Sequence, residues 1–276
     1  MSGNAFRDTS PISLDVLEKT WPKLKVDLMM VGFVEIEPIG TTWKKQTMGD
    51  VDLAATFPSG SLSLAVFNMQ QVFGETNVKR FGNVVSVNYP VVDDRRVQVD
   101  VMVGNPKYLA WSRFGPSLDE HDPQFSHVKG VIRNLFLNTT LRMISTVTLS
   151  GGLDRSRLAL DFDVGLHMLY QTKRGMHDNV LKCWKTHSNT FMTDDPSVIV
   201  KKIFGSGTPS DALTLEGCLR LAQEREARGN GIDLSKLAAE FVLELEDLRQ
   251  TSPNTLGENL VDPVKFVKAF IDKIGQ

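Results

Sequence analysis

The 276-residue sequence is poor in cysteine and has no large excess of charge of one sign. Its two cysteines, Cys183 and Cys218, lie 35 positions apart, and neither has a second cysteine or a histidine at zinc-finger spacing. This arrangement excludes a zinc-finger framework. One disulfide between the two residues could be drawn, but two buried free thiols are the expected state.

The 31 basic and 33 acidic residues give a formal net charge of −2, so the chain is not of the type that coats nucleic acid by charge alone. A local basic groove is still compatible with this balance. No uninterrupted apolar stretch approaches 18 residues, and the N-terminal stretch carries charge early. We therefore expect neither a membrane span nor a signal peptide, and a cytoplasmic protein.

What is present is an ordinary globular composition, 41% hydrophobic, with clear periodic patterns. Residues 10–104 predict the order helix, strand, strand, helix, strand, strand. The first helix, at 10–31, has an apolar face, and Pro22 is expected to kink or split it. The other predicted elements are strands at 33–37 and 50–57, a helix at 61–73, and strands at 83–89 and 95–103.

Residues 105–276 show a different pattern. A helix is predicted from residue 125, and β-branched residues become frequent near residue 144. In the stretch 158–170, apolar residues alternate with the others, as in a strand. Helices dominate from Pro196 onward, with one apolar stripe over 234–248 and a final helix after Pro263. We therefore predict an α+β fold, in which a compact mixed sheet flanked by helices (1–104) precedes a mixed to mainly helical part (105–276).

Three acidic residues in the first part point to a metal site. Asp50 and Asp52 are two apart on a predicted strand, so both carboxylates project from the same face. Asp100 lies in the middle of a later strand, on the face opposite four valines. Like charges side by side need a compensating cation, and oxygen-only ligands suit Mg²⁺ or Mn²⁺. If the two strands are neighbours, the three carboxylates converge.

A candidate phosphate-binding loop precedes Asp50. Gly40 ends a predicted strand, and Thr41 and Thr42 open what is expected to be a short helical turn. Glycine allows a phosphate to approach the backbone, and hydroxyls and free N–H groups at a helix start bind anions. Lys44 and Lys45 are close enough to add positive charge, although lysines in such positions are more often solvated.

The order of these residues resembles the nucleotidyltransferase superfamily, the group that includes DNA polymerase β-like and poly(A) polymerase-like enzymes. The family pattern of an apolar residue, glycine and a small residue, then Asp-apolar-Asp, then an aspartate between apolar residues is met by Ile39-Gly40-Thr41, Asp50-Val51-Asp52-Leu53 and Val99-Asp100-Val101. The resemblance covers residues 10–104. Thr41 departs from the usual Gly or Ser, and the loop at 42–49 is short.

The resemblance implies a small mixed nucleotidyltransferase sheet and an enzyme that transfers a nucleoside monophosphate to a hydroxyl acceptor with release of pyrophosphate. Asp50, Asp52 and Asp100 would then be the catalytic metal ligands for Mg²⁺ or Mn²⁺. Gly40, Thr41, Thr42, Lys44 and Lys45 would bind a nucleoside triphosphate such as ATP. An RNA 3′ end is favoured narrowly over a small molecule or a protein as acceptor, and the sequence does not indicate an oligomeric state.

Two alternatives stay open. The chain could be a catalytically silent nucleotide-binding module that has kept the fold, although its three intact acids argue against this. A second acidic cluster could also carry chemistry: on one strand, Asp161, Asp163 and His167 would share a face and form a hydrolase metal site. A polar face without a metal is the simpler interpretation of that cluster, because the same stretch also fits a helix.

Overall fold

The computed structural model describes residues 5–92, 94–114, 129–149, 154–173 and 184–251. The chain divides into two units, residues 1–121 and 122–276. Together the described ranges contain seven α-helices and three β-sheets, which makes the protein a mixed α+β protein. Of the helices in these ranges, none is both long and apolar enough to cross a bilayer.

The first unit is built on a five-stranded mixed sheet. Its strands have the order β2-β4-β7-β6-β5, in which β4 and β7 are parallel and the other neighbours are antiparallel. β1 and β3 form a separate two-stranded ribbon. The elements are β1 (Ile12–Ser13), α1 (Leu14–Val31), β2 (Val34–Pro38), β3 (Thr47–Met48), β4 (Asp50–Thr56), α2 (Leu62–Phe73), β5 (Val78–Phe81), β6 (Val84–Pro90), β7 (Arg96–Val103) and α3 (Pro106–Ser112).

The predicted order of helices and strands up to residue 104 is confirmed, with β5 and the short ribbon as additions. The helix is not split at Pro22, because α1 is continuous from its cap at Ser13 to Gly32. Pro22 lies on the exposed face of α1, and so does Glu18 one turn earlier. Because Pro22 has no N–H, the carbonyl of Glu18 lacks its helical hydrogen bond. Its exposed position allows water to hydrate it instead.

The two faces of the sheet differ in polarity. One face is apolar and packs with α1 and α2 into the core of the unit, whose buried side chains include Leu17, Leu24, Leu28, Val51, Leu53, Ala65, Met69, Val85, Val87, Val97, Val99 and Val101. Helix α3, which follows residue 104, contacts β2 and β4. Its Leu109 packs with Ile39 and Ala54 in a smaller apolar cluster.

The second unit combines helices with a four-stranded antiparallel sheet of order β11-β10-β9-β8. Its described residues thus contain more helix than strand. The elements are α4 (Lys129–Ser145), β8 (Val147–Thr148), β9 (Asp154–Asp161), β10 (Gly165–Lys173), β11 (Trp184–Thr193), α5 (Pro196–Phe204), α6 (Leu215–Ala227) and α7 (Leu234–Thr251).

Three sequence predictions for this unit have different outcomes. The stripe over 234–248 is confirmed as a helix face, because Leu237, Phe241 and Leu245 of α7 are buried. The alternating stretch 158–170 is not one element but a hairpin of β9 and β10. Cys218 is a buried free thiol, as expected, whereas Cys183 and the predicted helix after Pro263 lie outside the described residues.

A side chain of α4 satisfies the backbone edge of β9. Asn138 donates from Nδ2 to the carbonyl of Leu160 at 3.0 Å, and its Oδ1 accepts from the N–H of Leu160 at 2.8 Å.

The Asn138→Ala variant should lose about 2–3 kcal/mol of unfolding free energy in urea, since both backbone groups lose their partner in a part-buried setting. Asn189→Ala, on the exposed strand β11, should change it by less than about 0.5 kcal/mol. Equal losses in the two variants would contradict this role of Asn138.

Candidate functional site

The polar face of the first unit's sheet brings the three predicted acids together. Asp52 of β4 is paired in register with Asp100 of β7, and Asp100 is paired with Ser86 of β6. In the next row, Asp50 is paired with Gln98. Because side chains two apart on a strand share a face, Asp50, Asp52 and Asp100 project from the same side of the sheet.

The three carboxylates form a tight, partly buried cluster. One oxygen from each of Asp50, Asp52 and Asp100 lies within 4.8 Å of the other two. Asp100 is only 5% exposed. Oδ2 of Asp50 is buried and, among the atoms of the described residues, has no hydrogen-bond partner. A buried carboxylate oxygen without a donor is costly, so this geometry favours an added cation.

The electrostatics of the cluster agree with its geometry. Burial, and then the charges of Asp50 and Asp100, raise the pKa of Asp52 to about 7, while the charge of Arg113 acts in the opposite direction. Burial also raises the pKa of Asp100, against hydrogen bonds from Ser86 and Gln98 that lower it. Without a metal the cluster therefore favours holding a proton at neutral pH, and a divalent cation would displace it.

Gly40 lies directly against the cluster. Its φ is +63°, and a Cβ placed on it would lie 3.1 Å from Oδ2 of Asp52. The backbone beside it is tied to β4, since the N–H of Ile39 donates to the carbonyl of Asp52 at 3.0 Å. Glycine is therefore required both for the left-handed backbone and for the close approach to a carboxylate.

The loop after Gly40 forms turns rather than the expected helical turn. The N–H of Thr42 donates to the carbonyl of Ile39, and the N–H of Lys44 donates to that of Thr41. Trp43 has a φ of +67° and packs edge-on against Trp21 of α1, with ring centroids 5.9 Å apart. This aromatic contact holds the loop in a conformation that the helical prediction did not include.

The predicted nucleotide-binding side chains of the loop have distinct environments. Thr42 is buried, and its Oγ1 accepts a hydrogen bond from the N–H of Asp52 at 2.9 Å, so it supports the cluster. Nζ of Lys44 lies 4.1 Å from the ring centroid of Phe114, a cation–π contact. Thr41 and Lys45 are partly exposed, and their contact with phosphate stays a prediction.

A cavity of about 590 Å³ opens beside the acids, within the usual size range of small-molecule sites. Asp52, Asp100 and Gly40 are among the residues that line it. Its walls also include residues that we did not predict as site residues, which are Ser86, Gln98, Arg113 and the apolar Phe81, Val84 and Met102. Arg113 brings a cation to the acids, as its effect on Asp52 indicates.

One of these omissions had a signal in the sequence. Gln98 alternates with Asp100 on the face opposite the valines, so the strand pattern alone places it beside the acid. Ser86 and Arg113 had no such signal. Ser86 reaches Asp100 through strand pairing, and Arg113 follows a helix whose packing against the sheet depends on distant residues.

The second acidic cluster does not form as one strand face. Asp161 ends β9, Asp163 lies in the turn, and His167 lies on β10, paired with Ala159. Oδ1 of Asp161 accepts hydrogen bonds from the N–H groups of Asp163 and Val164, at 2.9 and 3.2 Å. Among the described residues, the group of three acidic or metal-ligating side chains close enough to hold an ion is Asp50, Asp52 and Asp100.

A substitution at Gly40 should report on the approach of the loop to the acids. In Gly40→Ala, the added Cβ meets the Asp52 carboxylate and the residue is strained at positive φ. We expect a loss of about 1–2 kcal/mol of unfolding free energy and weaker stabilisation by Mn²⁺ in a thermal-shift assay. Gly60 is also at positive φ but has open space around it. Gly60→Ala should therefore lose unfolding free energy with no change in its stabilisation by Mn²⁺.

Comparison of the sequence with models of protein families and with curated proteins gives no match in either case. The case for a function therefore rests on the residues of the site. The candidate metal ligands are three carboxylates. A buried oxygen of Asp50 has no hydrogen-bond partner among the described residues, and Gly40 leaves space beside Asp52 because it has no side chain. Hard oxygen ligands of this kind fit Mg²⁺ or Mn²⁺.

Proposed function

We propose that this protein is a metal-dependent nucleotidyltransferase. The observation that carries the proposal is the convergence of Asp50, Asp52 and Asp100 within 4.8 Å on one face of a mixed sheet. Gly40 lies against Asp52, and Asp52 and Asp100 line a cavity of about 590 Å³. The order of elements from α1 to β7 is also the order that the resemblance to the nucleotidyltransferase superfamily requires, and that specific arrangement is part of the proposal.

In the proposed reaction, the oxygen of an acceptor hydroxyl forms a bond to the α-phosphorus of a nucleoside triphosphate. The bond between that phosphorus and the oxygen bridging to the β-phosphate breaks, and pyrophosphate leaves with the electron pair. The hydroxyl proton passes to solvent. Mg²⁺ held by Asp50, Asp52 and Asp100 would supply charge neutralisation and activation of the hydroxyl.

The protein groups around the acids have complementary roles in this proposal. Gly40 leaves room for phosphate oxygens beside Asp52, because a side chain there would occupy that space. Arg113 lies in the same cavity and adds positive charge for a polyanionic substrate. Thr42 holds the backbone of Asp52 and thereby fixes the direction of its carboxylate. Positioning and electrostatic stabilisation account for most of the rate enhancement in such reactions.

The identity of the acceptor is a more specific part of the proposal. An RNA 3′ end is our first candidate, with a small-molecule or protein hydroxyl as the alternative. Incubating the protein with Mg²⁺, each labelled triphosphate, and separate pools of RNA, protein and metabolites tests both. Pyrophosphate release together with label in one pool supports nucleotidyl transfer and identifies the class of acceptor. Binding of triphosphate without turnover in any pool would favour the silent nucleotide-binding module.

The Asp100→Asn variant tests the role of the third acid. It should lower Mg²⁺-dependent pyrophosphate release by about 100-fold or more, because one of three metal ligands loses its charge. Asp94→Asn is the matched control, since Asp94 is exposed in the turn before β7 and the charge change is identical. Its activity should stay within twofold of the wild type. Equal activity of Asp100→Asn and wild type would contradict the proposed metal site.

A further inference from the structure

We propose that Gln98 is a positioning residue, which holds the Asp100 carboxylate in its metal-binding orientation and is itself oriented by the backbone N–H of Ala5. This inference rests on the proposed metal site and extends it to two groups outside the carboxylate cluster. Gln98 is 2% exposed and lies two residues before Asp100 on β7. It does not belong to the acidic pattern from which the site was predicted.

The contact between the two side chains is bifurcated, with one amide nitrogen facing both carboxylate oxygens. Nε2 of Gln98 lies 3.0 Å from Oδ1 and 3.0 Å from Oδ2 of Asp100, so the amide donates toward both carboxylate oxygens. An ionised carboxylate can accept about four hydrogen bonds, and this contact leaves lone pairs on both oxygens for a cation. The amide also compensates part of the cost of burying the charge, which otherwise favours a proton on Asp100.

The orientation of the amide is fixed from its other end. Oε1 of Gln98 accepts a hydrogen bond from the N–H of Ala5 at 2.9 Å. If the amide were rotated by half a turn, Oε1 would face the carboxylate and Nε2 would face an N–H donor, so both contacts would become repulsive. The Ala5 N–H therefore selects the rotamer in which Gln98 donates to Asp100.

Ala5 belongs to a segment, Ala5–Ser10, that is anchored along the same face of the sheet. The carbonyl of Ala5 accepts a hydrogen bond from Nζ of Lys79. The same Nζ lies 4.9 Å from the ring centroid of Phe6. Nδ2 of Asn88 donates to both carboxylate oxygens of Asp8, each at 2.9 Å. The N–H of Ser10 donates to the carbonyl of Arg96 at 2.9 Å. These contacts keep the donor of Ala5 in place next to β7.

Partners that orient metal ligands typically contribute 10- to 100-fold to metal affinity or activity. We therefore expect Gln98→Met, which keeps the length of the side chain but removes both polar ends, to weaken Mn²⁺ binding by about 10- to 100-fold. Ala5→Pro removes the backbone donor while leaving the Gln98 and Asp100 side chains unchanged, and should weaken binding by about 3- to 10-fold, the effect of one hydrogen bond. The affinities are measured by calorimetric titration of the full-length proteins with Mn²⁺.

The titration curve distinguishes a positioning role of Gln98 from a merely structural one, because it reports the midpoint and the number of ions bound separately. If Gln98 positions Asp100, the midpoint of Mn²⁺ binding moves while the number of ions bound at saturation is unchanged, and kcat recovers at high Mn²⁺. If Gln98→Met only unfolds a fraction of the molecules, the number of ions bound falls and the midpoint stays. Asn68→Leu is the matched control, because the Asn68 amide donates to Val31 on the opposite, helical side of the sheet.

The outcomes separate this inference from the proposed function. Wild-type affinity in both Gln98→Met and Ala5→Pro would overturn the positioning role while leaving the nucleotidyltransferase proposal in place. Weaker Mn²⁺ binding in these variants, in a protein that turns over no triphosphate, would support the positioning role and overturn the enzyme. A wild-type protein that binds no Mn²⁺ would overturn both.

Discussion

Replacing Asp52 with asparagine should abolish Mg²⁺-dependent turnover of triphosphate, with a loss of about 1,000-fold or more in pyrophosphate release. Asp52 lies between Asp50 on its own strand and Asp100 on the next, and its carboxylate lies against Gly40 in the wall of the cavity. It is therefore the acid next to both of the other carboxylates and to the glycine loop, where a bound cation would contact it. A loss of this size corresponds to about 4 kcal/mol of transition-state stabilisation, as expected for a metal ligand.

The same variant should be more stable than the wild type when no metal is present. Asparagine has nearly the shape of aspartate, but it removes a charge that burial and two neighbouring carboxylates disfavour. Loss of activity together with a higher metal-free Tm therefore distinguishes the loss of a metal ligand from misfolding. Asp94→Asn should change neither property. A wild-type-like response of Asp52→Asn to Mg²⁺ in a thermal-shift assay would contradict the assignment of Asp52 as a ligand.

The acidic cluster could be predicted from the sequence because its geometry follows from local rules. A strand has a side-chain period of two, so Asp50 and Asp52 must share a face, and the valines of β7 must direct Asp100 away from the core. The pattern could not by itself provide the parallel pairing of β4 with β7, which sets Asp52 opposite Asp100. That pairing depends on a connection through α2, β5 and β6, and from the sequence it is only the condition under which the three carboxylates converge.

The loop and hairpin predictions failed because side-chain contacts, a distant one in the loop and a local one in the hairpin, decided the structure. The loop after Gly40 has hydroxyl residues that could begin a helix, yet Trp43 packs against Trp21 and holds the chain in turns. In the stretch 158–170, alternation continues across the turn at Asp163, so the pattern does not reveal the reversal of the chain. The turn is stabilised by Oδ1 of Asp161, a side-chain contact that periodicity does not report.

The stability of the metal-free protein should fall as the pH rises from about 4 to about 8. The folded-state pKa of Asp52 is raised from 3.8 to about 7, so between these values the folded state binds more protons than the unfolded chain does. The free energy of unfolding then decreases with increasing pH. A shift of about 3 pKa units corresponds to as much as about 4 kcal/mol, and the raised pKa of Asp100 acts in the same direction.

Urea unfolding at pH 5, 6, 7 and 8, with and without Mn²⁺, measures this effect. Mn²⁺ at about 100 times its dissociation constant should add about 2.7 kcal/mol of stability. Most of this gain should appear above pH 7, where Asp52 is ionised and free to bind the ion. In Asp52→Asn, most of the pH slope and most of the Mn²⁺ effect should disappear together, because one group is the source of both. A metal-free wild type whose stability is constant or rises between pH 5 and 8 would contradict the raised pKa of Asp52 and of Asp100.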